Sequence, residues 1–229
     1  MSLTSKERLL IQHFAQYVSD HKREFIAKVL SQRTRHVTVV LEDIHQSQNA
    51  SAVVRTCECM GLQDIHIIEN TSTYQINTRV LKGSNKWMDL IRYRSKGINN
   101  TEACFLQLRK QGYTVYAADP AEEGVSIHDV DVTQGKVAIM FGNELHGVSD
   151  YALAHCDQKV RIPMYGFTES LNISVSVAIC LNTLVSRLHQ DFEKYGLTNE
   201  EKEYLTLQWY RKAVRKSDLI EREFLRTIQ

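Results

Sequence analysis

The chain has 229 residues and a formal net charge of +1 at pH 7. That length suits one globular domain with extensions or two small domains, and it is enough to bury a sizeable core. The balanced charge carries no global polyanion signal, so any nucleic-acid surface must come from local clustering. The five cysteines are odd in number and none sits in a C-x-x-C pair, which argues against a disulfide framework and a structural zinc site and points to a reduced, cytoplasmic compartment. The N-terminal "MSLTSKERLL" lacks a signal-peptide core, and no apolar run approaches membrane-spanning length. Two prolines and ten glycines argue against extensive disorder.

Residues 4–31 read as one amphipathic helix. Thr4 to Glu7 matches the T-x-x-E capping box, and Leu10, Phe14, Val18, Phe25 and Val29 recur at roughly helical spacing. The pattern then changes. "HVTVVLEDI" is a short β-branched run and predicts a strand. "NASAVVRTCECMG" predicts a helix, with Asn49 a suitable N-cap and Gly61 a suitable stop. "DIHIIEN" is a second strand, "TEACFLQLRKQG" a helix, and "YTVYAAD" and "KVAIMFG" further strands. "SDYALAHC" is a short helix opened by Ser149, "QKVRIPM" a strand, and residues 172–188 a long helix. Strands alternating with helices predict an α/β domain with a mostly parallel sheet over residues 36–190. Helical extensions flank it at 1–35 and 191–229. The second of these follows a polar linker, "QDFEKYG", and opens with a capping box at Thr198 to Glu201. On one continuous C-terminal helix, Arg211 with Arg215 and Lys212 with Lys216 would each share a face.

The common phosphate and hydrolase signatures are absent. There is no G-x-G-x-x-G, no G-x-x-x-x-G-K-[ST], no G-x-S-x-G and no H-E-x-x-H. The nine histidines lack metal-ligand spacing, so no metal site is expected. Three polar clusters remain. Asn49 and Arg55 flank the first helix of the α/β part; capping explains the former and a snorkelling side chain the latter. "FGNELHG" (141–147) follows an apolar strand. An ordinary glycine turn explains it, but Glu144 also falls at a strand's C-terminal end, where open α/β sheets place ligands. "TESLN" (168–172) opens the long helix, which needs one cap from Ser170 or Asn172. The surplus oxygens and amides suit a ligand's carboxylate or phosphate.

In this order, "NASAVVRT", "IMFGNELHGVS" and "RIPMYGFTESLNISVSVAICL" resemble the three motifs of the SpoU family of 2′-O-ribose RNA methyltransferases, in the SPOUT superfamily. The resemblance covers the whole α/β core, and "LTNEEKEYLTLQWYRKAVRKS" resembles the tail of the family's tRNA (guanosine-2′-O)-methyltransferases. It implies a parallel sheet with a C-terminal trefoil knot, a rarity no residue pattern suggests. It also implies S-adenosyl-L-methionine as cofactor, bound in the knot, and an obligate homodimer. Residue by residue, it assigns Arg55, Asn49, Glu144, Ser170 and Asn172 to catalysis and Ala118, Gly142, Ile162 and Leu171 to the cofactor. Leu145-His146 departs from the family pattern. The implied substrate is tRNA, not DNA, methylated on a D-loop guanosine. The basic residues Arg211, Lys212, Arg215 and Lys216 are the candidate RNA contacts, with a solvated helix face as their other reading. Ribosomal RNA as substrate and a non-catalytic RNA-binding module are the alternatives. Only about 35 residues precede the core, too few for the separate RNA-binding domain of many ribosomal-RNA relatives. For the family, the arginine at position 55 has been proposed as the base. A guanidinium keeps its proton, with a pKa above about 12, which favours holding a substrate phosphate.

Overall fold

The computed structural model describes residues 3–121 and 123–228. The chain divides into two compact units, Thr34–Tyr195 and the combination of Met1–Arg33 with Gly196–Gln229.

The helical unit begins with α1 (Ser5–Ala15) and α2 (Asp20–Leu30). The single helix expected over 4–31 is therefore broken. Its break carries neither glycine nor proline. Val18 is buried in the turn, and the Arg23 guanidinium donates to the Ala15 carbonyl at 2.7 Å, tying α2 to the end of α1. The turn also resets the helical phase. Ile26 and Leu30 are buried, whereas Phe25, expected on the apolar face, is exposed. Both expected capping boxes form, Thr4 with Glu7 and Thr198 with Glu201.

The α/β unit runs β1 (Val37–Glu42), α3 (Ser47–Cys59), β2 (Asp64–Ile68), α4 (Thr78–Leu81), β3 (Asp89–Tyr93), α5 (Asn100–Lys110) and β4 (Tyr113–Ala118). It continues with β5 (Val125–Ser126), β6 (Lys136–Phe141), α6 (Asp150–His155), β7 (Gln158–Arg161), α7 (Ile173–Leu188) and the short α8 (Phe192–Tyr195). The seven strands lie in the order β3-β2-β1-β6-β4-β7-β5, and every pairing is parallel. All six residues of β1 are buried, as a central parallel strand covered on both faces requires. Val37, Val39 and Leu41 of β1, with Val137, Ile139 and Phe141 of β6, share one core with α3 and α7. Val40, Ala138 and Met140 point the other way, into a second core with Phe105 of α5 and Ala152 of α6. The sequence reading found neither edge strand. β3 is interleaved with charge and mostly half-buried, and β5 has only two residues.

The C-terminal helices, α9 (Asn199–Ala213) and α10 (Ser217–Thr227), replace the single helix expected there. Val214 is extended and buried, and Lys216 is left-handed at φ 58°. Arg211 then reaches Glu221 with two charge-assisted bonds of 2.8 and 2.6 Å, which fasten α10 back to α9. Arg215 and Lys216 lie beyond α9, so neither the Arg211–Arg215 nor the Lys212–Lys216 pair shares a helical face as expected.

Buried polar groups brace the strand ends. The Glu42 carboxylate accepts from the Thr101 hydroxyl at 2.6 Å and from the backbone and side chain of Ser149, both at 2.9 Å. Asp43 adopts φ 50°, an uncommon left-handed conformation, and one of its carboxylate oxygens accepts the N–H groups of Asn70, Thr71 and Ser72. His66 on β2 is fully buried. Its Nδ1 lies 2.9 Å from the Tyr93 hydroxyl, and its Nε2 has no hydrogen-bond partner among the described residues. Burial pushes its pKa down to about 4 from an ordinary 6.5. The unfolded chain therefore takes up a proton that the folded chain refuses. Stability from this group is present above pH 6.5 and falls by about 1.4 kcal/mol per pH unit as the pH drops towards 4. Chemical denaturation between pH 7 and 5 is expected to show a shallower stability loss for His66→Gln than for the parent. Equal slopes would exclude His66 as the cause.

Candidate functional site

The loops that follow β1, β4, β6 and β7 converge with the start of α7 around a cavity of about 680 Å³. All leave the carboxyl ends of parallel strands, where α/β sheets place ligands. Eight of the nine residues assigned to catalysis or cofactor line it: Asn49, Ala118, Gly142, Glu144, Ile162, Ser170, Leu171 and Asn172. Arg55 does not. It is exposed on α3, and its side chain makes no hydrogen bond or ion pair with a described residue. The structure thus gathers the pocket and leaves the arginine outside its lining.

The polar part is a continuous chain of hydrogen bonds. Asn49 is not the N-cap of α3. The helix starts two residues earlier, so Asn49 sits in its first turn and its side chain is released from capping. Its amide nitrogen donates to a Glu144 oxygen at 3.0 Å, and its carbonyl oxygen accepts from the Asn172 amide at 3.2 Å. Asn172 also caps α7, taking the Ser174 N–H at 2.9 Å. Glu144 further accepts the backbone N–H groups of His45 and Gln46 at 3.0 and 3.2 Å. Burial alone would raise the Glu144 pKa. The bonds from Asn49, the loop backbone, His45 and Gln46 outweigh it and hold the carboxyl below the usual range. Glu144 is therefore an ionised, well-satisfied acceptor that locks two loops together.

Gly142 has a structural reason for being glycine. A Cβ there would lie 2.0 Å from the Gly147 carbonyl oxygen. The close approach is made by the protein's own backbone, where Asn143 and Gly147 exchange two bonds of 2.8 Å. Gly147 takes φ 69°, and Asn143 accepts from the Leu145 N–H at 2.8 Å while donating to the Asp43 carbonyl at 2.8 Å. The Leu145-His146 pair, unusual for the resemblance, forms the exposed tip of this tight loop and lines the cavity.

The sequence reading missed Gln46, whose side-chain oxygen accepts from Asn49 at 3.2 Å. Its position one helical turn before Asn49 was the available signal. It also missed Asp119, Met164 and Cys180 on the cavity wall. Burial pushes the Cys180 thiol up to about 12, so it serves as a small apolar wall group. Among the described residues no cluster of three or more histidine, cysteine, aspartate or glutamate side chains is arranged for a metal ion. The RNA candidates lie in the helical unit. Lys212, Arg215 and Lys216 are exposed, and Arg211 is engaged by Glu221. Gly142→Ala is expected to destabilise the fold by about 2 kcal/mol or more, because backbone must move to admit the methyl group. A thermal melt unchanged from the parent would contradict this packing.

With the geometry described, its relatives can be considered. The SpoU rRNA Methylase family profile matches residues 36–182. A Borreliella burgdorferi protein named tRNA (guanosine(18)-2′-O)-methyltransferase is 40% identical over 207 residues, 90% of this chain and 92% of that protein. The Thermus thermophilus protein of the same name is 35% identical over 163 residues, 71% of this chain and 81% of its own. The solved A. aeolicus TrmH/SpoU tRNA modifying enzyme matches with a TM-score of 0.75 at 27% identity, covering 86% of this chain and 98% of that one. A profile match across the whole α/β sheet core up to α7, together with a 40% identical relative spanning nearly the full chain, establishes that this chain belongs to the SpoU rRNA Methylase family.

Proposed function

We propose that the protein methylates the ribose 2′-oxygen of guanosine 18, in the D-loop of tRNA, using S-adenosyl-L-methionine. The observation that carries this is the convergence of Asn49, Glu144, Ser170 and Asn172 on one cavity, in a chain whose relatives are named for that reaction. The cavity suits the cofactor. Its volume lies in the range of cofactor sites, and it combines apolar walls from Ile162, Leu171 and Phe141 with polar groups from the loops after β4 and β6. When bound, the cofactor supplies an electrophilic methyl group on a sulfonium sulfur. Ile162 and Leu171 would grip its apolar parts, and the Ala118–Pro120 segment would meet its polar ones. The three-residue chain Glu144–Asn49–Asn172 fixes the start of α7, and with it Ser170, against the loop after β6. Ser170 is exposed at the cavity and free to position the ribose. Transfer would form an oxygen–carbon bond and break the sulfur–carbon bond, leaving a neutral thioether, with the hydroxyl proton passing to solvent. The three donors that Glu144 accepts hold its carboxyl below the usual range and make it a poor proton acceptor, so we assign it to orienting the site. Arg55, outside the cavity lining, holds a substrate phosphate near the reacting ribose. Holding the hydroxyl in line contributes on the order of 7–11 kcal/mol at best.

We further propose that the C-terminal part of the sheet is tied in the trefoil knot of SPOUT proteins and that two copies pair across it. The order β6-β4-β7, with three loops meeting at one cavity, supports the first. Support for the second comes from Leu145, Tyr165, Phe167, Leu171 and Val175, large apolar side chains left 40% to 108% exposed in one chain. The terminal helices, with Lys212, Arg215 and Lys216, would add tRNA contacts, and the reaction belongs in the cytoplasm.

The test is methyl transfer from labelled S-adenosyl-L-methionine to purified tRNA and ribosomal RNA, with the modified ribose mapped. The expected product is 2′-O-methylguanosine at position 18 of tRNA; methylation of ribosomal RNA alone would overturn the substrate. Because Arg55 positions the ribose through a neighbouring phosphate, Arg55→Ala should lose about a hundredfold in turnover while keeping cofactor affinity within a few-fold. Light scattering on the same preparation should give twice the chain mass, and a monomer would refute the pairing.

A further inference from the structure

The segment between β2 and β3 contributes no residue to the cavity described above. From Asn70 to Met88 the sequence holds no acidic residue, and its charges are Arg79, Lys82 and Lys86. The Asn77 N–H donates to the Ser51 hydroxyl of α3 at 2.9 Å. Ser51 stands one helical turn before Arg55, so this bond sets the start of α4 beside the turn that carries Arg55. The Asn77 side chain accepts the N–H groups of Arg79 and Val80, and Leu81 is buried. These anchors leave Arg79 and Lys82 exposed on either side of Leu81, with Lys82 held in a left-handed turn at φ 46°. Neither side chain makes a hydrogen bond or ion pair with a described residue. Three other arginines of this unit are neutralised locally: Arg35 by Asp64 and Asp89, Arg92 by Glu69, and Arg109 by Asp157.

We propose that Arg79 and Lys82 extend the cationic surface begun by Arg55 and bind the phosphate backbone of the same tRNA that presents its ribose to the site. The inference rests on the tRNA reading above. Three cationic side chains without a local acid partner, two of them on a segment that holds no acidic residue from Asn70 to Met88, complement a polyanion. An acidic protein surface would need paired carboxylates at fixed spacing, whereas a phosphate chain tolerates the variable reach of these side chains. Because the contacts are to phosphate, they supply affinity and salt dependence without selecting a base.

The test compares the full-length parent, Arg79→Gln/Lys82→Gln and the charge-keeping Arg79→Lys/Lys82→Arg, using an unmodified tRNA transcript across a series of salt concentrations. The neutral pair is expected to raise KM for tRNA roughly three- to tenfold near physiological salt and to reduce the log–log salt slope by about 1 to 2. Its kcat should stay within twofold, and its cofactor affinity and melting temperature should match the parent. The charge-keeping pair should restore KM and slope. If the parent methylates tRNA but the neutral pair keeps the parental KM and slope, the inference fails while the function stands. If the parent methylates no tRNA, the function itself fails. Should the neutral pair lose binding of an acidic protein and not of tRNA, the surface belongs to that partner and the inference is overturned.

Discussion

One carboxylate holds the site together. Glu144 leaves β6, Asn49 belongs to the helix after β1, and Asn172 opens α7; 123 positions separate the last two. The amide of Asn49 is the only side chain of the three that reaches both others. It donates to Glu144 and accepts from Asn172, and so needs Glu144 as an ionised acceptor. A neutral carboxyl would offer fewer lone pairs to the N–H groups of His45 and Gln46 and would weaken the tie between the two loops. The low pKa of Glu144 and the shape of the pocket are thus two consequences of one arrangement.

The loop carrying Glu144 is itself held by backbone geometry. Gly142 and Gly147 come so close that no side chain fits at the first, and Asn143 ties the loop to the end of β1 through the Asp43 carbonyl. Asp43 in turn gathers three N–H groups from the segment after β2. The ends of β1, β2 and β6 therefore move as one block, and rigidity at this block is what allows α7 to present Ser170 and Leu171 to the cavity from a long, exposed loop. Residues 165–172 are all exposed. Asn172, at the end of this stretch, ties it to Asn49 and to the first turn of α7.

Much of this was legible in the residues. The interior strands β1, β2, β4, β6 and β7 announce themselves as apolar runs because both sheet faces are covered. The motif order brought eight of nine assigned residues to one cavity. What was not legible has physical causes. The terminal helices break without glycine or proline, through a buried Val18 and through the Arg211–Glu221 bridge, which are tertiary effects invisible to periodicity. The edge strands are too short or too charged to stand out. Asn49 is a good cap by residue type, and only the true start of α3 at Ser47 shows that it bridges instead. Arg55 carries the right spacing for the motif, but spacing does not reveal that its guanidinium lies outside the pocket lining.

The dependence of the site on this chain of side chains is tested most directly by a double-mutant cycle between Glu144 and Asn172, read as kcat/KM for methyl transfer to tRNA. Among the described residues no hydrogen bond joins these two directly; Asn49 links them. Glu144→Ala and Asn172→Ala should each lower kcat/KM, and the double variant should cost clearly less than the sum, with a coupling of about 1 kcal/mol or more. Strictly additive losses would contradict the account, because they would mean that Glu144 and Asn172 support the reaction independently of the Asn49 bridge.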